Sequence, residues 1–92
     1  MAKCRILIAE PLRPFAGEKH GIAAEGTTVG EVCISAAQGH PELMREVFQT
    51  DGSLRNGVTI FLNGADIRFK NGLNAAVNDG DVINLHAPMP IG

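Results

Sequence analysis

The chain of 92 residues has no tryptophan or tyrosine, only four phenylalanines, and no run of positive charge among its eight lysines and arginines. Proteins that bind nucleic acid usually carry a basic stripe or patch, whereas the formal net charge here is −2. The apolar stretch at residues 6–9 is much shorter than a membrane span or the apolar part of a signal peptide. We therefore expect a cytoplasmic protein whose partners are neither nucleic acids nor membranes.

Side chains arranged for catalysis are also missing from the sequence. None of the three histidines stands at metal-ligand spacing from another histidine or a cysteine, and no serine lies in a nucleophile motif. Two cysteines, Cys4 and Cys33, are too few for an iron–sulfur cluster and are typical of small core residues. Asp79 and Asp81 flank Gly80, a setting typical of a tight turn rather than of an acid/base pair. We expect no catalytic residue, no metal and no bound cofactor.

The first half of the chain predicts a hairpin followed by a helix. Residues 3–10 alternate as a half-buried strand, and residues 18–25 are interpreted as its returning partner. Thr28 and Glu31 form a capping-box pattern that starts a helix, which we expect to end at Gly39 in a left-handed conformation. Its apolar positions recur at helical spacing and predict one buried stripe: Val29, Val32, Cys33, Ala36 and Ala37. Residues 41–48 predict a second, shorter helix.

The second half predicts further strands joined by tight turns. Residues 58–62 are rich in β-branched and aromatic residues and suit a central strand. An Asn-Gly turn at residues 63–64 leads to a short partner strand at 65–69, and residues 81–85 form the last strand. Between them, Leu73 and Val77 are expected to pack under the sheet. The order of elements predicts an α+β fold, in which a mixed sheet of four to five strands packs on one main helix.

The last residues form an unusual apolar end. Pro88 and Pro90 exclude a helix and favour a stiff, extended arm of polyproline type. Gly92 places a carboxylate with no Cβ beside it at the end of the sequence. Such an arm suits entry into a narrow channel of a partner. We therefore divide the chain into a domain at residues 1–86 and a flexible C-terminal tail at residues 87–92.

Three segments together resemble a known family. They are the helix start at residues 27–32 (TTVGEV), the strand and turn at 58–64 (VTIFLNG), and residues 78–83 (NDGDVI) followed by a proline-containing tail that ends in glycine. They are similar to the ubiquitin-like β-grasp sulfur carriers, which include the small subunit of molybdopterin synthase and the thiamine-pathway carrier. The resemblance spans essentially the whole chain. Residues 40–57 are longer than the middle of thiamine carriers, which favours the molybdopterin type.

The resemblance implies a carrier rather than an enzyme. A ubiquitin-activating-like adenylyltransferase would use ATP to adenylate Gly92, and sulfur would then replace the adenylate to give a thiocarboxylate. A sulfur-acceptor synthase subunit would receive that sulfur in cofactor or metabolite biosynthesis. The tail residues would thread the channels of these partners: Ala87, Pro88, Met89, Pro90 and Ile91. Phe61 and His86 would be candidates for the partner interface.

One departure from the family pattern keeps alternatives open. The family usually ends in Gly-Gly, whereas the penultimate residue here is Ile91, whose branched side chain restricts the backbone and adds bulk next to the reacting carboxylate. The hypothesis of a sulfur carrier requires partner enzymes whose channels accept Ile91. One alternative is a ubiquitin-like modifier conjugated through Gly92 to lysines of other proteins. Another is a β-grasp interaction module with an unreactive tail.

Overall fold

A computed structural model describes residues 1–87, so the tail at residues 88–92 lies outside the described part of the chain. Strands make up one five-stranded sheet: β1 (Ala2–Ile8), β2 (Gly21–Gly26), β3 (Thr59–Leu62), β4 (Ala65–Asp66) and β5 (Val82–His86). Their order across the sheet is β2-β1-β5-β3-β4. β1 and β5 run parallel, and the other neighbours run antiparallel. The predicted mixed sheet and α+β class are confirmed.

The alternating pattern of the strands separates two faces of the sheet. In β1 the even-numbered residues Cys4, Ile6 and Ile8 are buried, as predicted, and in β5 Ile83 and Leu85 are fully buried. The residues between them point to the opposite, outer face, where they are exposed or half-buried. Because a pleated strand turns successive side chains to opposite faces, one face packs on the helices and the other stays available to a partner.

Helix α1 (Val29–Gly39) covers the buried face of the sheet. Its predicted apolar stripe is correct: Val29, Val32, Cys33 and Ala36 are buried, and Ala37 is half-buried. At its start, Thr28 Oγ1 accepts the Glu31 N–H at 3.2 Å, and the Glu31 carboxylate accepts the Thr27 N–H at 2.9 Å. The capping box therefore closes on Thr27, one residue before the N-cap at which the motif usually closes.

The predicted left-handed stop at Gly39 is wrong. Gly39 is the last helical residue and is not among the residues with positive φ, and His40 caps the helix with φ −138° and ψ 63°. Pro41 begins α2 (Pro41–Val47) immediately afterwards. The residue before a proline is disfavoured in the helical region, so His40 leaves the helical conformation and separates the two helices. No left-handed glycine is needed to end α1.

One other prediction, on the strand that follows the Asn-Gly turn, needs correction. The partner strand expected at residues 65–69 pairs only over Ala65–Asp66, and a 3-10 helix follows at Ile67–Phe69. The Asp66 carboxylate accepts the Arg68 N–H at 2.9 Å, which draws the backbone out of the ladder. The prediction of a central strand is confirmed, because β3 is paired on both sides, with β5 and with β4; the middle strand of the five is β5.

The segments between the main helices and strands contain two short helices that the sequence did not predict. A 3-10 helix over Glu10–Ala16, which was not predicted, follows β1 and packs against α2. Another 3-10 helix spans Gly72–Asn74. Val77 is buried as expected, whereas Leu73 is only half-buried and lies against Gly30 of α1. The predicted turns are present: Asn63 and Gly64 both have positive φ, as a two-residue hairpin turn requires.

Candidate functional site

The site begins where β5 ends, at the last described residues of the chain. β5 is paired on both sides, in parallel with β1 and antiparallel with β3. Ala9 donates its N–H to the Leu85 carbonyl at 3.2 Å, so the ladder continues to the end of the strand, and the Leu85 side chain is fully buried. A strand held on both edges and anchored in the core gives the tail a rigid starting point.

Ala87, the first residue of the predicted tail, is half-buried and packs against the hydrophobic core. It lines one side of a surface groove of about 220 Å³ whose other walls are Pro11, Leu12, Phe15, Glu46, Arg55, Asn56 and Val58. The groove forms because β1 and β5 are parallel neighbours, so the 3-10 helix that leaves β1 and the tail that leaves β5 start side by side. Sequence reasoning missed this groove because it missed that 3-10 helix.

Phe61 and His86 meet on the outer face of the sheet. Their ring centroids are 5.2 Å apart and the rings are nearly perpendicular, at 81°. This edge-to-face arrangement is a favourable one for two aromatic rings. Phe61 is half-buried and His86 is exposed, and half-buried Leu7 and Val82 lie on the same outer face. The structure therefore joins the two predicted interface residues into one patch directly before the tail.

The other end of β5 is fixed by hydrogen bonds of Asn63. Its side-chain oxygen accepts the Val82 N–H at 2.9 Å, and its side-chain amide donates to the Asp81 carboxylate at 3.0 Å. The other carboxylate oxygen of Asp81 accepts the Asn78 N–H at 2.8 Å. The hydrogen bond from Asn63, followed by that from Asn78, holds the pKa of Asp81 below its ordinary value. In the sequence, only the Asn-Gly turn pointed to Asn63, and nothing pointed to its side-chain bonds.

The acidic pair and the cysteines serve the structure, as expected. Asp79 accepts the backbone N–H of Lys3 at 2.8 Å, which ties the turn to the start of β1. Cys4 and Cys33 are both buried and free. Burial raises the pKa of the Cys33 thiol to about 12, so this thiol is held protonated and poorly nucleophilic.

Within residues 1–87 there is no group of three His, Cys, Asp or Glu side chains that could hold a metal ion. In the same part of the chain, no helix has both the length and the apolar character needed to cross a membrane. The predicted tail residues Pro88, Met89, Pro90, Ile91 and Gly92 lie outside the described residues, so their roles stay predictions.

A helix packed on one face of a mixed sheet, with β5 as the middle strand, defines a ubiquitin-like β-grasp protein. Comparison with known proteins places the chain more closely. Residues 6–89 match the ThiS family. The chain therefore belongs to this family of ubiquitin-like sulfur carriers.

Individual relatives agree with that placement. The sulfur carrier protein CysO of Mycobacterium tuberculosis is 30% identical over 76 residues, which cover 80% of this chain and 82% of the relative. The solution structure of the small archaeal modifier protein 1 from Methanosarcina acetivorans has a TM-score of 0.88 and 26% identity, covering 100% of this chain and 98% of that one. A chain in the crystal structure of the Amycolatopsis orientalis BexX/CysO complex has a TM-score of 0.85 and 26% identity, covering 97% of this chain and 99% of that one.

Proposed function

We propose that this protein carries sulfur on Gly92. An adenylyltransferase related to ubiquitin-activating enzymes would bind the carrier together with ATP. The Gly92 carboxylate attacks the α-phosphorus of ATP, pyrophosphate leaves, and an acyl-adenylate forms. Sulfide then attacks the acyl carbon, AMP leaves, and Gly92 becomes a thiocarboxylate. This sequence is needed because a free carboxylate is a poor electrophile, whereas its adenylate has a good leaving group.

The family membership is the observation that supports this proposal most directly, because the match runs to residue 89 and CysO is named as a sulfur carrier. The geometry of β5 agrees with a carrier role. A tail that must reach into an enzyme benefits from a fixed point of origin, since less conformational freedom is then lost on binding. The pairing of β5 on both edges and the burial of Leu85 provide that fixed point.

We assign the patch of Phe61 and His86 to recognition by the activating partner. The two rings lie one strand apart on the outer face, directly before Ala87. A partner that holds the tail in a channel must also contact the surface from which the tail leaves. Phenylalanine is among the residues that are enriched at protein interfaces. The carrier would contribute binding surface and a reactive end, and the partner would contribute the catalytic groups.

For the destination of the sulfur we favour the molybdopterin type. The middle segment at residues 40–57, which forms α2 and the following loop, is the feature that supports this choice. The direct test is to load the protein with labelled sulfur and offer it separately to a molybdopterin-type synthase and to a thiamine-type acceptor enzyme. Transfer to the second acceptor alone would assign the protein to the thiamine type instead.

A second candidate function is that of a ubiquitin-like modifier, and the likeness to small archaeal modifier protein 1 favours it. Activation would be the same, but a lysine amine of another protein would attack the adenylate and give an isopeptide. The products separate the two functions. A carrier yields a thiocarboxylate on the free protein. A modifier yields isopeptide-linked conjugates of larger mass, which thiol reductants do not cleave.

The experiment is intact-mass measurement after incubation with a candidate activating enzyme, ATP and sulfide. A carrier gains the mass difference between sulfur and oxygen, only with ATP, and loses that gain when Gly92 is deleted. Oxidation of one of the three methionines adds nearly the same mass. Because Met89 lies in the tail itself, the gain must be located on Gly92 by fragmentation of the C-terminal peptide, and that peptide must take up one alkyl group that it does not take up without ATP. An unchanged mass, with the same enzyme active on a tail that ends in Gly-Gly, would favour the unreactive interaction module.

A further inference from the structure

The outer edge of β2 pairs with no other strand of the described part of the chain, and its backbone groups point away from β1. Within residues 1–87, β2 stands at the end of the sheet and pairs only with β1. Ile8 donates its N–H to the His20 carbonyl at 2.8 Å, which shows that the even-numbered residues on this side bond to β1. The N–H and carbonyl groups of Gly21, Ala23 and Glu25 therefore point outwards. The bond from the Glu25 N–H to Ser35 Oγ, at 3.4 Å, is consistent with this direction.

Most devices that natural proteins use to block such an edge are missing here. Six residues form β2, and its sequence, GIAAEG, has no proline and a single charge. An open groove of about 290 Å³ runs beside it, lined by Lys3, Ala23, Ala24, Glu25 and Ser35. Small side chains along the edge leave room for another strand to approach. The edge is thus free to pair with a strand of another chain.

Charged side chains on the outer face beside this edge indicate which strand would fit it. Arg5 lies over Gly21, since a Cβ at Gly21 would be 3.2 Å from Nε and 3.4 Å from Nη2 of Arg5. Glu25 lies on the same face at the other end of β2, opposite Lys3. Both Arg5 and Glu25 are exposed, and the sole ion pair within residues 1–87 joins Arg68 to Asp66. Beside this edge the outer face therefore carries the Arg5 guanidinium at one end of β2 and the Glu25 carboxylate, with Lys3 opposite it, at the other.

We propose that this edge pairs with the same edge of a second copy of the chain. If two β2 strands run antiparallel about a two-fold axis at Ala23, Ala23 faces its own copy and Gly21 faces Glu25 of the other. The Arg5 guanidinium above Gly21 then lies beside that Glu25 carboxylate, and symmetry makes this ion pair twice. In this register Ala23 exchanges hydrogen bonds with its own copy, and Gly21 exchanges them with Glu25 of the other copy, whose N–H gives up its long bond of 3.4 Å to Ser35 Oγ. The result is a continuous ten-stranded sheet, twice the five strands of one copy.

The helix layer adds an apolar contact to the same interface. Ile34 is 67% exposed on α1, in a second groove that shares Glu25 and Ser35 with the first. Two copies related by the axis bring their α1 helices together below the sheet, where Ile34 can be covered. β1 separates the edge from β5, so pairing leaves the patch of Phe61 and His86 uncovered in both copies. The dimer would present two tails, independently of what the tails carry.

The test is sedimentation velocity of the full chain from micromolar to millimolar concentration. We expect a weak dimer, with a dissociation constant on the order of 0.1 mM, because strand-edge interfaces are small. Glu25→Arg places like charges beside each other and should weaken the dimer by at least about tenfold. Arg5→Glu should do the same. The double variant with both changes restores opposite charges and should return the dissociation constant to within about threefold of the original.

A second variant tests the backbone bonds. Ala23→Pro removes an outward N–H without touching the ladder to β1, and proline is tolerated on edge strands in that position. It should abolish dimerisation and leave thermal unfolding of the monomer nearly unchanged. In the original protein, the amides of Gly21 and Ala23 should exchange more slowly with deuterium as concentration rises. A monomer at millimolar concentration, or a dimer indifferent to all these changes, would overturn the proposal. So would protection of these amides that appears only when a strand of a different protein is added.

Discussion

Asn63 and Asp81, which are 18 residues apart in sequence, are joined by a side-chain hydrogen bond of 3.0 Å that ties the β3–β4 turn to the start of β5. Asn63 has a positive φ of 51°, so it also meets a backbone requirement of the turn. The two roles can be separated. Asn63→Gly keeps the backbone conformation and removes both side-chain bonds, and should lower the free energy of unfolding by about 1–2 kcal/mol. Asn63→Ala should cost about 1 kcal/mol more, because its Cβ opposes the left-handed conformation. Urea unfolding of the three proteins measures both, and equal losses would contradict the assignment.

The same hydrogen bond makes the free energy of unfolding depend on pH. The pKa of Asp81 is lowered in the folded protein, first by Asn63 and then by the Asn78 N–H. A lowered folded-state pKa means that the carboxylate stabilises the fold above its unfolded value, about 3.8, and that this contribution is lost as pH falls through the folded value. Asp81→Asn should therefore be less stable than the original protein at neutral pH. The difference should shrink as pH falls below 3.8 in unfolding curves recorded at several pH values. A difference that is independent of pH would contradict this.

The contact between Phe61 and His86 predicts a binding defect. Phe61→Ala should raise the KM for the carrier in the adenylation reaction by about tenfold, a loss typical of an interface aromatic residue, and leave kcat nearly unchanged. Phe69→Ala is the matched control, since Phe69 is another surface aromatic, 85% exposed, and lies beyond β4. Pyrophosphate exchange measures both variants. Equal effects of the two substitutions would remove the patch from the interface.

The residue before Gly92 tests whether the tail is used. Ile91→Gly restores the usual ending of the family and should speed adenylation by roughly three- to tenfold, because a branched side chain no longer hinders positioning of the carboxylate. Ile91→Ala removes the branching but keeps a Cβ, so it should fall between the two. No gain in either variant would mean that the partner accepts Ile91 or that the tail is not used.

The thiol of Cys33 is expected to react with alkylating reagents only after the protein unfolds. Its pKa is raised to about 12 by burial, because Cys33 lies on the face of α1 that packs into the core. Iodoacetamide at neutral pH should therefore leave Cys33 unmodified in the folded protein and modify it in urea, as read by peptide mass mapping. Fast labelling of Cys33 under native conditions would show that α1 opens readily.

Local pattern predicted much of the fold. Alternation identified β1 and its buried residues, helical spacing identified the buried stripe of α1, and the Asn-Gly pair identified the β3–β4 turn. It failed at Gly39 because His40, placed before Pro41, could end the helix alone. It failed at residues 67–69 because the Asp66 side chain competed with the ladder for the backbone. Each failure arose where a neighbouring residue offered the backbone another way to satisfy its geometry or its hydrogen bonds.

The candidate site divides in the same way. The apolar, proline-containing end and its Gly92 are properties of the sequence itself, and so is the family pattern around residues 58–64 and 78–83. Only the tertiary structure put Phe61 beside His86, set Ala87 in a groove with Phe15 and Arg55, and left the edge of β2 unpaired. Periodicity states which side of a strand is buried, because it depends on neighbours in the chain. It does not state which strands are adjacent, because β5 pairs in parallel with β1 across most of the chain's length, and that choice is made by the packing of the whole core.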